Sequence, residues 1–166
     1  MAATRDKVID MALTYLLALS TQASSSEAID HAVSLAAEKG AKLVGLFVLD
    51  AAVADAVFDN LTDMGFIGDK PGSDLRDAVV KEYATQATLQ LESLLLKAKE
   101  AGVECESVLR QGAFAETVLE AIGAYAADML ILTRTRRSML GRLFLGSNID
   151  GLLRKAPCEI KIFEEA

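Results

Sequence analysis

The chain has no tryptophan, one histidine, two cysteines and two prolines in 166 residues, and aromatic side chains make up only 5% of it. Each shortage excludes something. With so few aromatics the core has to be aliphatic, built from Leu, Val, Ile and Ala. Cys105 and Cys158 lie far apart, which gives neither a disulfide framework nor a CxxC metal pair. Both fall in or beside apolar strand segments and are expected as buried, inert thiols in a reducing cytosol. No HExxH, Ser–His–Asp order or paired-carboxylate motif is present, so no catalytic constellation and no metal site is expected. Long hydrophobic runs are also missing. The longest early one, Met11–Leu19, is too short to span a bilayer and contains Thr14. Charges interrupt the N-terminus before any signal-peptide core. The expectation is a cytoplasmic protein without a membrane partner.

What is present suits one folded domain. Apolar residues are 52% of the chain and charged residues 25%. The net charge of −7 repels nucleic-acid backbone and anionic lipid, although a local basic patch still suits a small anion.

Residues 1–11 read as an N-terminal arm and 12–166 as the domain. Val8, Ile9, Ala12, Leu13 and Leu16 also fit a helical stripe, which leaves the start of the first strand open. Leu13–Ser20 reads as a buried strand, followed by the polar loop Thr21–Ser26, whose serines suit a helix cap. A helix is predicted from about Glu27 to Lys39, closed by Gly40, with Ala28, Ile29, Ala32, Val33 and Ala36 as its apolar face. His31 falls on the opposite face with Glu27, Ser34 and Glu38 and is expected in solvent. Lys42–Asp50 is a second buried strand. Residues 51–73 form a long variable connection with room for a short helix at Ala51–Asn60, and suit either a lid or a plain surface insertion.

Asp74–Ala101 is predicted as a long helix with a stripe of Val80, Ala84, Ala87, Leu91, Leu94 and Ala98. That spacing also suits a coiled coil, but strands on both sides favour packing on a sheet. Glu104–Gln111 is a third strand and Phe114–Ala126 a third helix. Asp128–Thr133 is a fourth strand and Arg134–Leu145 a basic loop. Ser147–Lys155 is a fourth helix, ended by Pro157, and Glu159–Phe163 a fifth strand. Strands alternating with helices imply a parallel sheet covered on both faces, a doubly wound α/β sandwich.

With the elements in place, the C-terminal part resembles the universal stress protein family. Asp128–Ile131 is similar to its D-L-I-V strand, Gly141–Ser147 (GRLFLGS) to K-R-L-L-L-G-S, and Leu152–Ile162 (LLRKAPCEIKI) to V-L-R-H-A-P-C-P-V-L-V, with the spacing between the pieces kept. The N-terminal half matches more loosely, and the resemblance spans Leu13 to Phe163. It implies a five-stranded parallel sheet of order 3-2-1-4-5, with a ligand crevice outside the C-terminal ends of strands 1 and 4.

Nucleotide-binding members of that family carry G-x2-G-x9-G-[ST] after strand 4, where glycines admit phosphates and a helix N-terminus meets them. Here the four positions hold Thr133, Arg136, Gly146 and Ser147, so only the last two match. If the first two positions need positive φ, each non-glycine costs about 1–2 kcal/mol. Ser20 and Thr21 stand where the family has an adenosine-binding aspartate and the glycine after it, and the strand-2 valine whose backbone contacts adenine falls at Val48. Against these departures stand Arg134, Arg136, Arg137 and Arg142 close to Gly146, Ser147 and Asn148, a set suited to phosphate through the planar guanidinium. The same arginines also suit a solvated or acid-paired surface. Ser147 with Asp150 reads equally as a helix-start pattern, and Val48 equally as core.

The reading is a regulatory or binding module with an altered adenine-nucleotide crevice and possible protein partners. The alternative is an ATP- or AMP-sensing protein with an Arg-rich motif. An adenine-nucleotide hydrolase is disfavoured, because Ser20-Thr21-Gln22-Ala23-Ser24 lacks the SGGxDS glycines. The resemblance further implies a homodimer joined through Glu159, Ile160, Lys161, Ile162 and Phe163 of the last strand, pairing antiparallel with Lys161 across from Glu159 or Glu164.

Overall fold

A computed structural model describes residues 13–20, 26–50, 73–135 and 151–165. Five strands, β1 (Thr14–Ser20), β2 (Lys42–Leu49), β3 (Cys105–Gln111), β4 (Met129–Thr135) and β5 (Glu159–Glu165), form one sheet of order β3-β2-β1-β4-β5 in which every pairing is parallel. Three helices are defined: α1 (Ser26–Lys39), α2 (Ser73–Glu100) and α3 (Phe114–Tyr125), with residues 151–155 also helical. The doubly wound architecture read from the sequence is the one found. The N-terminal arm and the connection over residues 51–72 lie outside the described residues.

Side chains alternate across the sheet, so each strand feeds two cores. On one face Tyr15, Leu17, Leu19, Leu43, Phe47 and Ile131 meet α1 through Ile29, Ala32, Val33 and Ala36, and α2 through Ala87, Leu91, Leu94 and Ala98. On the other, Leu16, Ala18, Val44, Leu46, Val48, Leu130 and Leu132 meet α3 and Leu152. The apolar face of α1 is the one its periodicity gives, Ala28, Ile29, Ala32, Val33 and Ala36.

Burial is uneven across the sheet. β1 and β2 are covered on both sides, whereas β3, at one edge, is mostly exposed. That gradient corrects the reading of the thiols. Cys105 starts the exposed edge strand and Cys158 precedes the other edge strand, and both are only partly buried. Three local ties lock the frame. Thr14 N–H donates to Asp128 Oδ2 at 2.8 Å and Asp128 N–H to the Thr14 carbonyl at 2.7 Å, joining the starts of β1 and β4. Lys97 of α2 reaches Asp30 at 2.7 Å and the Ser26 hydroxyl at 2.9 Å on α1. Asp50, just past β2, accepts the Phe114 N–H at 3.1 Å, so an acceptor 64 residues away serves an α3 N-terminus whose own Ala113 provides no side-chain cap.

His31 is not in open solvent. Its ring lies 4.9 Å from that of Phe163, tilted by 50°, and is half-buried. The flank of α1 overhangs β5, and Phe163 reaches up to it.

Candidate functional site

Parallel strands whose neighbours connect in opposite directions leave a gap at their C-terminal ends, and ligands of open α/β sheets bind there. The gap is visible in the register. β1 pairs with β2 as far as Ser20↔Val48, and β4 pairs with β5 as far as Thr135↔Glu165. Between β1 and β4 pairing stops at Ala18↔Leu132, two residues short of the end of β1. The sheet therefore splits at its centre, with Ser20 and Thr133 on its two lips.

The structure brings together three of the residues singled out by sequence. Ser20 closes β1 and is 6% exposed, Val48 lies beside it in β2 and is fully buried, and Thr133 is 2% exposed on β4. Val48 packs its side chain into the α3-side core. The Thr133 hydroxyl is buried without a hydrogen-bond partner among the described residues, an uncommon state for a polar group. Thr133 is part of an extended strand, and Ala126 is the only non-glycine residue with positive φ among the described residues. The anticipated backbone strain at this position is therefore absent; what threonine brings is side-chain bulk and an unpaired hydroxyl.

Arg134 does not begin a loop, as the sequence reading had it. β4 continues to Thr135, which sets Arg134 level with Glu164 of β5 in an ordinary strand register. Thr21, Arg136, Arg137, Arg142, Gly146, Ser147 and Asn148 lie outside the described residues, so the glycine-serine half of the motif is not placed. The β5 residues expected at an interface do form an edge strand. Ile160 and Ile162 pack toward the α3-side core, while Lys161 and Phe163 are half-buried and Glu159 is exposed.

The electrostatics around these positions are mild. Burial lowers the His31 pKa, with Lys161 adding to the effect, and its Nε2 has no hydrogen-bond partner among the described residues. Sequence periodicity missed this, because the contact comes from a strand 132 positions later in the chain. A cleft of ≈ 530 Å³ opens at the opposite end of the sheet, lined by Thr14, Gly40, Lys42, Gly102 and Glu104 among others. It lies between two helix C-termini whose last-turn carbonyls are engaged: Ala36 accepts Ala41 N–H at 2.9 Å and Ala98 accepts Val103 N–H at 2.8 Å. Size alone does not make that cleft the site, since the switch point is elsewhere. Among the described residues no group of three His, Cys, Asp or Glu side chains is arranged to hold a metal, and no helix is long and apolar enough to cross a membrane.

Comparison with known proteins bears on this geometry. The family model described as the universal stress protein family matches residues 11–163. A universal stress protein of Methanocaldococcus jannaschii is 24% identical over 143 residues, covering 85% of this chain and 75% of the relative. A universal stress protein solved in complex with cAMP superposes with a TM-score of 0.58 at 20% identity, covering 93% of this chain and 98% of the other. A universal stress protein family protein of Arabidopsis thaliana solved with AMP bound has a TM-score of 0.53 at 18% identity and covers 92% of both chains.

Proposed function

The chain belongs to the universal stress protein family, and from that premise we propose that it is a homodimeric regulatory module, not an enzyme, whose crevice takes an anion or adenine nucleotide only in an altered mode. The observation that carries this reading is Thr133. At the lip of the split between β1 and β4, where a nucleotide-binding member has a glycine, a buried threonine fills the space a phosphate-bearing ligand needs for close backbone approach. Ser20 opposite it is neutral where the family has a carboxylate.

The second reading, an ATP- or AMP-sensing protein, is favoured by the two structural relatives that hold cAMP and AMP. The arginines after β4 would then replace backbone contacts with side-chain contacts. Calorimetry with ATP, AMP and cAMP decides between the two, together with mass spectrometry of any ligand released from the purified protein. We expect at most weak binding, improved when Thr133 and Arg136 are both changed to glycine. Micromolar ATP affinity that Gly146→Trp abolishes would establish the second reading instead.

The dimer rests on the two sheet edges being unlike. β3 presents exposed Glu106, Ser107, Arg110 and Gln111 around a single exposed apolar residue, Leu109, a mostly polar edge that discourages pairing. β5 presents half-buried Ile160, Lys161, Ile162 and Phe163, so a second β5 added antiparallel covers more apolar surface. Light scattering at high micromolar concentration should give twice the 17.7 kDa chain mass, and Ile162→Pro should shift the protein toward monomer. A monomer mass for the unmodified protein rules the assembly out. Two free cysteines and the family membership support a cytoplasmic location.

A further inference from the structure

Phe163 sits beside two polar groups that have no hydrogen-bond partner among the described residues. Its register mate on β4 is Thr133, whose hydroxyl is orphaned, and its ring meets His31 of α1, whose Nε2 is orphaned. An apolar ring flanked by unsatisfied polar atoms is tolerable only while those atoms are neutral, because an unpaired buried charge costs far more than an unpaired dipole. His31 is the one group here that changes charge near neutrality, and it is the only histidine in the chain.

We propose that the His31–Phe163 contact is a proton-sensitive latch on the β5 edge: the neutral imidazole holds α1 against β5, and protonation releases it. The charges around the ring favour release. Lys161, on the same face of β5 two residues before Phe163, repels an imidazolium. On α1, Glu27 stands one turn before His31 and Glu38 two turns after it, both exposed. Asp30 is engaged by Lys97 of α2; on β5, Glu159 is exposed at the far end of the strand, Glu164 is exposed and follows Phe163 on the opposite side of the sheet, and Glu165 ends the strand. From β4 the neighbour of Phe163 is Thr133, which carries no charge. Among the described residues no carboxylate is in place to accept a hydrogen bond from the buried Nε2 once it is protonated.

The sign follows from linkage. Burial lowers the His31 pKa in the folded protein below the usual 6.5, so the unfolded or released state binds the proton more readily. Stability from this contact is full above pH 6.5 and is lost as pH falls through the lowered value. The latch also deepens the homodimer reading, on which its consequence for assembly rests. A second copy of the chain laid along β5 covers the open flank of Phe163 and His31, which disfavours the imidazolium further. Mild acid therefore weakens association.

The test uses the full-length protein with His31→Leu, which cannot titrate, and Phe163→Leu, which removes the ring contact. Backbone circular dichroism establishes that each variant folds. NMR titration of the single histidine should give a midpoint below 6.5 in the wild type and a return toward 6.5 in Phe163→Leu. Between pH 7 and pH 5, hydrogen-exchange protection of the Ile162–Glu164 amides, corrected for intrinsic rates, should fall by at most about tenfold per pH unit as pH drops from 6.5 to the wild-type midpoint, level off below it, and stay flat in His31→Leu. Sedimentation equilibrium over the same range should show the dimer dissociation constant rising in the wild type only. An unchanged β5 protection factor, or an identical fall in His31→Leu, overturns the latch. A wild-type chain that is monomeric at pH 7 overturns the homodimer reading, while β5 protection still decides the latch.

Discussion

Leu94 of α2 occupies the space that a Cβ on Gly45 of β2 would need. Both residues are at the centre of the core between the sheet and α1–α2, where Leu94 is fully buried. Glycine in mid-strand is ordinarily a weakness, since it adds no packing and loses the most backbone entropy. Here it lets a 28-residue helix lie directly on the sheet.

Gly45→Ala should therefore destabilise, by about 1–3 kcal/mol, through overpacking. Urea unfolding reads this as a lower midpoint at unchanged slope. Combining it with Leu94→Ala supplies the control. The double variant should lose less than the sum of the singles, because Leu94→Ala removes the atoms that the new Cβ meets and that Cβ refills part of the space they leave. Additive losses would mean that the two side chains do not compete for one space.

Ala126 ends α3 in the left-handed conformation, φ 50° and ψ 50°, with its N–H directed to the Gly123 and Ile122 carbonyls. An L-residue there costs about 1–2 kcal/mol, whereas glycine does not pay that penalty but gains about 0.4–1 kcal/mol of unfolded-chain entropy to lose. The balance predicts that Ala126→Gly stabilises by roughly 0.5–1 kcal/mol. Thermal unfolding should show a Tm increase of a few degrees; a decrease would mean that the position is not left-handed in solution.

Thr133 gives the opposite kind of test. Its hydroxyl is buried and makes no hydrogen bond to any described residue, so it carries a desolvation cost with no return. Valine has nearly the same shape without the oxygen. Thr133→Val should thus be neutral or stabilise by about 1 kcal/mol in the ligand-free protein. A clear loss of stability would show that the hydroxyl has a partner in solution, such as an ordered water or a retained anion.

These residues mark what could and could not be read in advance. The strand–helix alternation, the apolar face of α1 and the buried stripe of α2 follow from local periodicity, and local periodicity is written along the chain. The split between β1 and β4 follows from topology, which the order of elements implies. Three things were not legible. The reach of β4 through Arg134 to Thr135 depends on pairing with β5, and a polar Thr-Arg-Thr ending gives no strand pattern of its own. The half-buried state of His31 depends on Phe163, and the capping of α3 by Asp50 depends on a residue from another strand end. Contacts between segments far apart in sequence leave no trace in either segment alone.

Cys105 closes the set with a prediction about alkaline pH. Burial pushes its thiol up to about 11, Glu106 adds to the rise, and Lys42 opposes it. At pH 8 only about one molecule in a thousand then carries the thiolate that reacts with alkylating reagents. Iodoacetamide should therefore label Cys105 slowly in the native protein and quickly in urea, with peptide mapping separating it from Cys158, whose thiol is also raised. The stability consequence has a definite sign. An acid whose folded pKa is raised holds its proton longer in the native state, so its contribution is intact below pH 9.0 and is lost as pH climbs through about 11. The urea midpoint should fall over that window. Burial also raises the Tyr15 hydroxyl, so the informative comparison is Cys105→Ala, which leaves Tyr15 in place. The variant should show a shallower alkaline decline than the wild type; identical slopes would mean that the Cys105 thiol titrates as it does in the unfolded chain.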